Sequence, residues 1–205
     1  NGGGKSTLAK IIAGIEQPTT GQILLNGEDI THMGITERAQ KGISFAFQQP
    51  VRFKGITVLD LIRISVGHDL TVSQACEYLS EVGLCARDYI HREVNSSLSG
   101  GELKRIEIAT SLARSAPLSI FDEPEAGIDL WSFQNLVQVF EGMKRRLHGS
   151  ILIISHQELI LNIADVVLVV ADGRIVRQGE RDEVLPELLN SSDMGGCRFY
   201  QERKG

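Results

Sequence analysis

Apolar residues recur along this chain in two rhythms. Leu8, Ile11, Ile12 and Ile15 follow the i, i+3, i+4, i+7 spacing of a helix that ends near Gly14, ahead of Pro18. Ile23 to Leu25 then breaks at Asn26-Gly27, a pair suited to a tight turn, so Gly21 to Ile30 reads as a hairpin. Ile43 to Phe47 is a short apolar run with the character of a strand. Helical patterning returns from Thr57 to Val66 and from Val72 to Val82, with Thr71 as a cap and Gly83 as a stop. After a polar loop at Arg92 to Ser97, another helix carries Leu103, Ile106, Ala109 and Leu112.

Strands and helices alternate from there. Leu118 to Phe121 predicts a strand, and Leu136, Phe140, Met143 and Leu147 predict a long helix. Ile151 to Ile154 is a second strand and Val166 to Val170 a third, turned by Asp172-Gly173 into Arg174 to Val176. Apolar strands separated by helices imply an α/β fold, a mainly parallel sheet with helices on both faces. The helical stretch 57–114 interrupts that pattern as an inserted subdomain. Residues 1–56 and 115–190 form the α/β core of a single domain, and 191–205 a polar tail.

Composition narrows the picture. The 205 residues are 42% hydrophobic and 23% charged, the balance of an ordinary globular protein. The formal net charge of -5 argues against a dedicated nucleic-acid binder. No apolar run approaches the ~20 residues of a membrane helix, so a membrane role would come through a partner. Cysteines at 76, 85 and 197 form neither a disulfide framework nor a metal pair, which fits a reducing cytoplasm. Cys76 falls beside Ala75, Leu79 and Val82 and is expected as a buried thiol. The chain opens at Asn1 on a glycine run, so it reads as a fragment without its natural N-terminus.

Three motifs carry chemistry. Gly2-Gly3-Gly4-Lys5-Ser6-Thr7 is the later part of a G-x-x-x-x-G-K-[ST] phosphate loop ahead of a helix. Its glycines let backbone N–H groups wrap phosphates, with Lys5 reaching the β- and γ-phosphates and the Ser6 hydroxyl ligating Mg²⁺. The strand Leu118 to Phe121 runs into Asp122-Glu123, which sets two carboxylates at the sheet edge where α/β proteins bind ligands. Asp122 would hold the metal and Glu123 would polarise an attacking water. Leu98-Ser99-Gly100-Gly101-Glu102 opens a helix and offers a second anion cradle. Two cradles serve one nucleotide if two copies sit head to tail.

With these motifs the chain resembles the nucleotide-binding domains of ATP-binding cassette (ABC) proteins, whose core is of the P-loop NTPase type. Gly4-Lys5-Ser6-Thr7, Phe47-Gln48, Leu98 to Glu102, Asp122-Glu123, Ala126-Gly127-Ile128-Asp129 and Ser155-His156 follow the family order. The resemblance implies ATP and Mg²⁺ as ligands, with Gln48 sensing Mg²⁺ and the γ-phosphate. It also implies that His156 binds the γ-phosphate beside the catalytic Glu123, and that Asp129 crosses a dimer interface. The remaining histidines, 32, 68, 91 and 148, are expected at the surface. In this family the adenine-stacking aromatic precedes the phosphate loop, outside this sequence. Glu125 stands where many members carry a small polar residue.

Within the family, Gln48-Gln49-Pro50-Val51, and Glu102 followed by Lys104-Arg105, are similar to the ATPase of Suf-type iron–sulfur cluster assembly. That likeness implies soluble Fe–S scaffold proteins as partners. The alternative is the ATP-binding subunit of a membrane transporter, favoured by Glu123-Pro124, with a permease in the same groove. A chromosome-organising ATPase would carry a long coiled coil between Lys5 and Ser99, where only a helical subdomain fits. Intact Lys5, Glu123 and His156 speak against a module that binds ATP without hydrolysing it. The basic trio Lys144-Arg145-Arg146 reads as a solvated helix face.

Overall fold

The computed structural model describes residues 2–128, 130–146 and 149–193. They fall into two compact units, one within residues 9–155 and a smaller one drawn from residues 2–8 and 156–193. Helix α1 (Lys5–Ala13) begins in the smaller unit and runs into the larger, which then contains β1 (Leu24–Leu25), β2 (Glu28–Asp29), α2 (Ile35–Gln40), β3 (Ile43–Ala46) and α3 (Val58–Val66). It continues through α4 (Val72–Glu81), α5 (Ala86–Tyr89), α6 (Gly100–Arg114), β4 (Leu118–Asp122), α7 (Leu130–Arg146) and β5 (Ser150–Ile154).

Strands β3, β4 and β5 form a parallel sheet with β4 in the centre, Ile43 opposite Leu118 and Leu118 opposite Ser150. Side chains alternate across β4, so its two faces meet different helices. Ile120 joins Ala9 and Ala13 of α1 with Ile30, Ile43 and Ile154 in one buried cluster. Phe121 points the other way, edge-on to Phe140 of α7 at 4.9 Å between ring centres. Phe133, Leu136, Phe140 and Met143 are the buried stripe of that helix. The sheet is thus covered on both sides, as its apolar strands require.

The hairpin of β1 and β2 turns at Asn26 and Gly27, whose φ angles of 50° and 84° supply the mirror-image turn that strand twist favours. Helices α3, α4 and α6 each start with a reciprocal cap. Thr57 pairs with Asp60, Thr71 with Gln74, and Ser99 with Glu102, side chain to backbone in both directions.

The sequence pattern predicts no helix at α2, since six residues show too little periodicity. Its anchor is Arg38, wholly buried, whose guanidinium donates to the carbonyls of Ile11 (2.5 Å), Ile12 (2.9 Å), Thr31 (2.8 Å) and Met33 (3.0 Å). Two of those carbonyls belong to the last turn of α1, where helix ends leave acceptors unpaired.

In the smaller unit lie α8 (Glu158–Leu161), β6 (Val166–Ala171), β7 (Arg174–Glu180) and α9 (Arg181–Asp193). The strand that the sequence turns at Asp172-Gly173 into Arg174 to Val176 pairs antiparallel with β7, Val166 opposite Glu180, and stands outside the three-stranded parallel sheet. The turn at Asp172 (φ 50°) and Gly173 (φ 70°) brings the chain straight back, so the hairpin pairing prevails. Val167, Val184 and Leu185 are buried where α9 covers it. The sequence pattern predicts no helix over the α8 and α9 segments.

Cys76 is half-buried rather than buried, because it flanks the Ala75–Leu79 stripe, and Cys85 is exposed. His32, His68 and His91 are exposed, as are Lys144, Arg145 and Arg146, the last pairing with Glu81 at 2.5 Å. Leu147, His148, Cys197 and the tail beyond residue 193 lie outside the described residues. Among the described residues no helix is long and apolar enough to cross a membrane.

Candidate functional site

The smaller unit contains the glycine loop. Gly2 and Gly4 take φ angles of 87° and 93°, and the Gly3 carbonyl accepts from the Gly173 amide at 3.0 Å. A Cβ on Gly3 would lie 2.7 Å from the Val170 carbonyl oxygen. Bare glycine therefore lets this loop lie flat on the β6–β7 turn with the Lys5 and Ser6 end leading into α1. The first helical bond joins Leu8 N–H to the Gly4 carbonyl at 2.9 Å, which leaves the earlier amides at a helix N-terminus. That geometry fits a phosphate cradle. Lys5 and Ser6 are half-buried and Thr7 is exposed. His156, also in this unit, is exposed just ahead of α8.

The larger unit holds the acidic strand end. Asp122 closes β4 at 4% exposure. Glu123 follows with φ 46°, a backbone conformation that carries strain in a residue with a side chain. Its N–H donates to the Ile154 carbonyl at 2.9 Å, and its Oε2 accepts from the Gln48 side-chain amide at 2.6 Å. The glutamine and the acidic pair, named from motif order, thus meet. Glu125 accepts from the Ser155 hydroxyl at 2.6 Å, tying the turn after β4 to the end of β5. Its second oxygen is buried and unpartnered among the described residues. Asp129 lies outside the described residues.

The glutamine segment is gripped from α6. Phe47 N–H donates to Glu107 Oε1 at 3.0 Å, and the Phe47 carbonyl accepts from Lys104. Lys104 and Glu107 pair at 3.0 Å, the lysine side chain 1% exposed. Burial pushes the Glu107 carboxyl above its usual value, while the neighbouring ammonium pulls it back.

Ser99 caps α6, receiving the Glu102 amide at 3.2 Å while Glu102 Oε2 accepts the Ser99 N–H at 2.6 Å. Leu98 is buried beneath this corner, and a Cβ on Gly100 would meet nothing, so the glycine face is open. Tyr89, which no motif pointed to, donates its hydroxyl to Glu102 Oε1. That bond, followed by the Ser99 amide, holds the Glu102 carboxyl below its usual value and raises Tyr89. Arg92 lies over the Tyr89 ring at 5.1 Å. Beside Phe47 an apolar groove of ≈ 370 Å³ is walled by Phe45, Pro50, Val51, Phe53 and Ile64, with Glu107 among its lining residues.

Lys5, Ser6 and His156 belong to one unit, and Gln48, Asp122, Glu123 and residues 98–102 to the other. Lys104 is named in the sequence only as part of the family likeness, with no role in the site, and Glu107 and Tyr89 belong to no motif. The only signal for the first two was an i, i+3 pair of opposite charges on an otherwise apolar helix face.

The sequence profile described as ABC transporter matches residues 1–126. An uncharacterised ABC transporter ATP-binding protein of Methanocaldococcus jannaschii is 38% identical, the match covering 90% of this chain and 76% of that protein. A putative ABC transporter ATP-binding protein of Mycoplasma genitalium is 32% identical over 85% of this chain but only 38% of its own length. Among solved structures, cbiO1 of Clostridium perfringens, part of the ABC transporter complex cbiONQ, superposes with a TM-score of 0.74 at 28% identity. That match covers 95% of this chain and 79% of the other.

Proposed function

The chain belongs to the ABC transporter family and is an ATPase of it; from that premise we propose that it works as a head-to-tail pair that closes on ATP and drives a docked membrane permease. The observation that carries this reading is the Gln48 amide on the Glu123 carboxylate at the end of the central strand. It puts a candidate general base under the control of the segment that borders the groove. Gly2, Gly3, Gly4, Lys5, Ser6 and Thr7 hold the phosphates, and Ser6, Gln48 and Asp122 are the side chains that would hold Mg²⁺. Bound Mg²⁺ would neutralise charge on the phosphates. Glu123 orients and polarises the water for in-line attack, His156 steadies the γ-phosphate, and Asp129 reaches toward the partner copy. Catalysis is then positioning with charge stabilisation.

Leu98 to Glu102 serve the ATP of the second copy, since Gly100 at the start of α6 is exposed with open space around it. Residues 57–114 act as the helical subdomain carrying this signature, within one cassette whose core is 1–56 and 115–190. The groove beside Phe47, with Val51 and Ile64 exposed on its rim, suits an inserted apolar element of a permease.

A second reading, the ATPase of a Suf-type Fe–S assembly complex, draws on Gln48-x-Pro50-Val51 and Glu102-x-Lys104-Arg105. The transporter names of the relatives support the permease reading ahead of this one. Anaerobic affinity purification of the native protein separates them. A polytopic membrane protein that co-purifies in detergent supports transport. A soluble, cysteine-bearing partner with iron and acid-labile sulfide supports assembly.

A further inference from the structure

Phe47 lies one residue past the last ladder position of β3, so its backbone N–H and carbonyl have left the sheet. Both are taken up by one ion pair from α6. Glu107 accepts the N–H, Lys104 donates to the carbonyl, and the two side chains close on each other. Lys104 is 1% exposed, and an ammonium so buried is costly unless each of its partners is well placed. An apolar pair would fill the same space at lower desolvation cost, so packing alone gives no reason for two charges here. What the charges do, and methylenes could not, is fix the attitude of the Phe47 backbone. The next residue, Gln48, carries the amide that meets Glu123. Helix α6 begins at the Ser99 cap, so the clamp and the open glycine face ride on one rigid element.

We propose that Lys104 and Glu107 are positioning residues that transmit the placement of α6, through the backbone of Phe47, to Gln48 and so to Glu123. This deepens the ATPase reading and rests on it: occupation of the signature by a partner's ATP would be felt at the catalytic carboxylate through this grip. A displacement well under the length of a hydrogen bond at Phe47 alters the reach of the following side chain.

The test is a coupling measurement on the full-length protein. Lys104→Met is expected to lower kcat roughly tenfold while the KM for ATP moves less than twofold, since misplacing a catalytic group slows chemistry more than binding. In a Gln48→Ala background the same substitution should cost less than twofold, because the path it acts through is already cut. Equal losses in both backgrounds, or no loss in either, would overturn the proposal. The paired apolar variant Lys104→Met/Glu107→Leu guards against misfolding. If it folds and hydrolyses ATP at the native rate, the pair is only packing and the idea fails. Amide hydrogen exchange at Phe47 and Gln48 gives a readout without catalysis. Exchange faster by roughly tenfold or more in Glu107→Gln supports the clamp, and unchanged exchange refutes it. A native protein that hydrolyses no ATP would defeat the ATPase reading, and the exchange result would still decide the clamp.

Discussion

Gln48 stands opposite Glu123 because of strand register. Ala46 pairs with Phe121 in the parallel ladder, and each of the two residues lies two positions further along its own strand's exit. The 2.6 Å contact between amide and carboxylate follows from that alignment. Glu123→Gln should retain ATP binding while kcat falls about a hundredfold or more, the usual loss when a general base is removed. Phosphate release and equilibrium nucleotide binding check the two halves separately. A variant that kept its native turnover would remove Glu123 from the role of base.

Tyr89→Phe deletes the hydroxyl that holds Glu102 and should lower stability by about 1 kcal/mol, the typical net worth of one such hydrogen bond. The sign of its pH dependence is fixed. A carboxyl held below its ordinary value of 4.5 contributes stability above that value and loses it as pH falls through the depressed one. The stability gap between native and variant should therefore be full near neutrality and shrink in acid. Thermal unfolding at several pH values measures it.

Asp29 accepts from the Thr31 hydroxyl (2.6 Å), the Thr31 amide (2.9 Å) and Gln22 (2.7 Å), and these bonds hold its carboxyl near pH 2 rather than 3.8. A proton titration followed by NMR should show it titrating at about 2. Its contribution to the β1–β2 hairpin is present above pH 3.8 and is lost as pH falls toward about 2. Thr31→Val should return the value toward the ordinary range.

Arg38→Ala leaves four carbonyl acceptors without their donor in a buried site. A loss of about 3 kcal/mol or more is expected, in the range for breaking a buried charged network. Denaturant unfolding gives the figure directly. Arg38→Lys should recover only part of it, because a compact ammonium cannot span carbonyls from Ile11 to Met33 as the flat fork does.

Local signals explain what could be foreseen. Asn26-Gly27 announced a hairpin, the Thr71 cap marked the start of α4, and the apolar run before Asp122-Glu123 announced a strand ending in carboxylates. What escaped notice depends on distant partners. Arg38 looks like any helix-surface arginine until the carbonyls of α1 fold over it. Lys104 and Glu107 look like any i, i+3 pair of opposite charges, and only the return of Phe47 from far back in the chain gives the buried lysine its partner. Motif order named the residues of the candidate site, and backbone register explains why two of them touch.

The reciprocal caps at Thr57, Thr71 and Ser99 bear on how the chain matures as well as on what it becomes. Each start signal is complete within four residues. The central strand instead waits for Ile43 to find Leu118 and for Leu118 to find Ser150. Contacts that close large loops form late and slowly. During synthesis the helical stretch can organise as it leaves the ribosome, while one edge of β4 stays bare until Ser150–Ile154 emerges. A pulse of exchange labelling during refolding should find α3 and α6 protected before β4. A ribosome stalled short of residue 150 should carry a nascent chain that holdase chaperones still recognise.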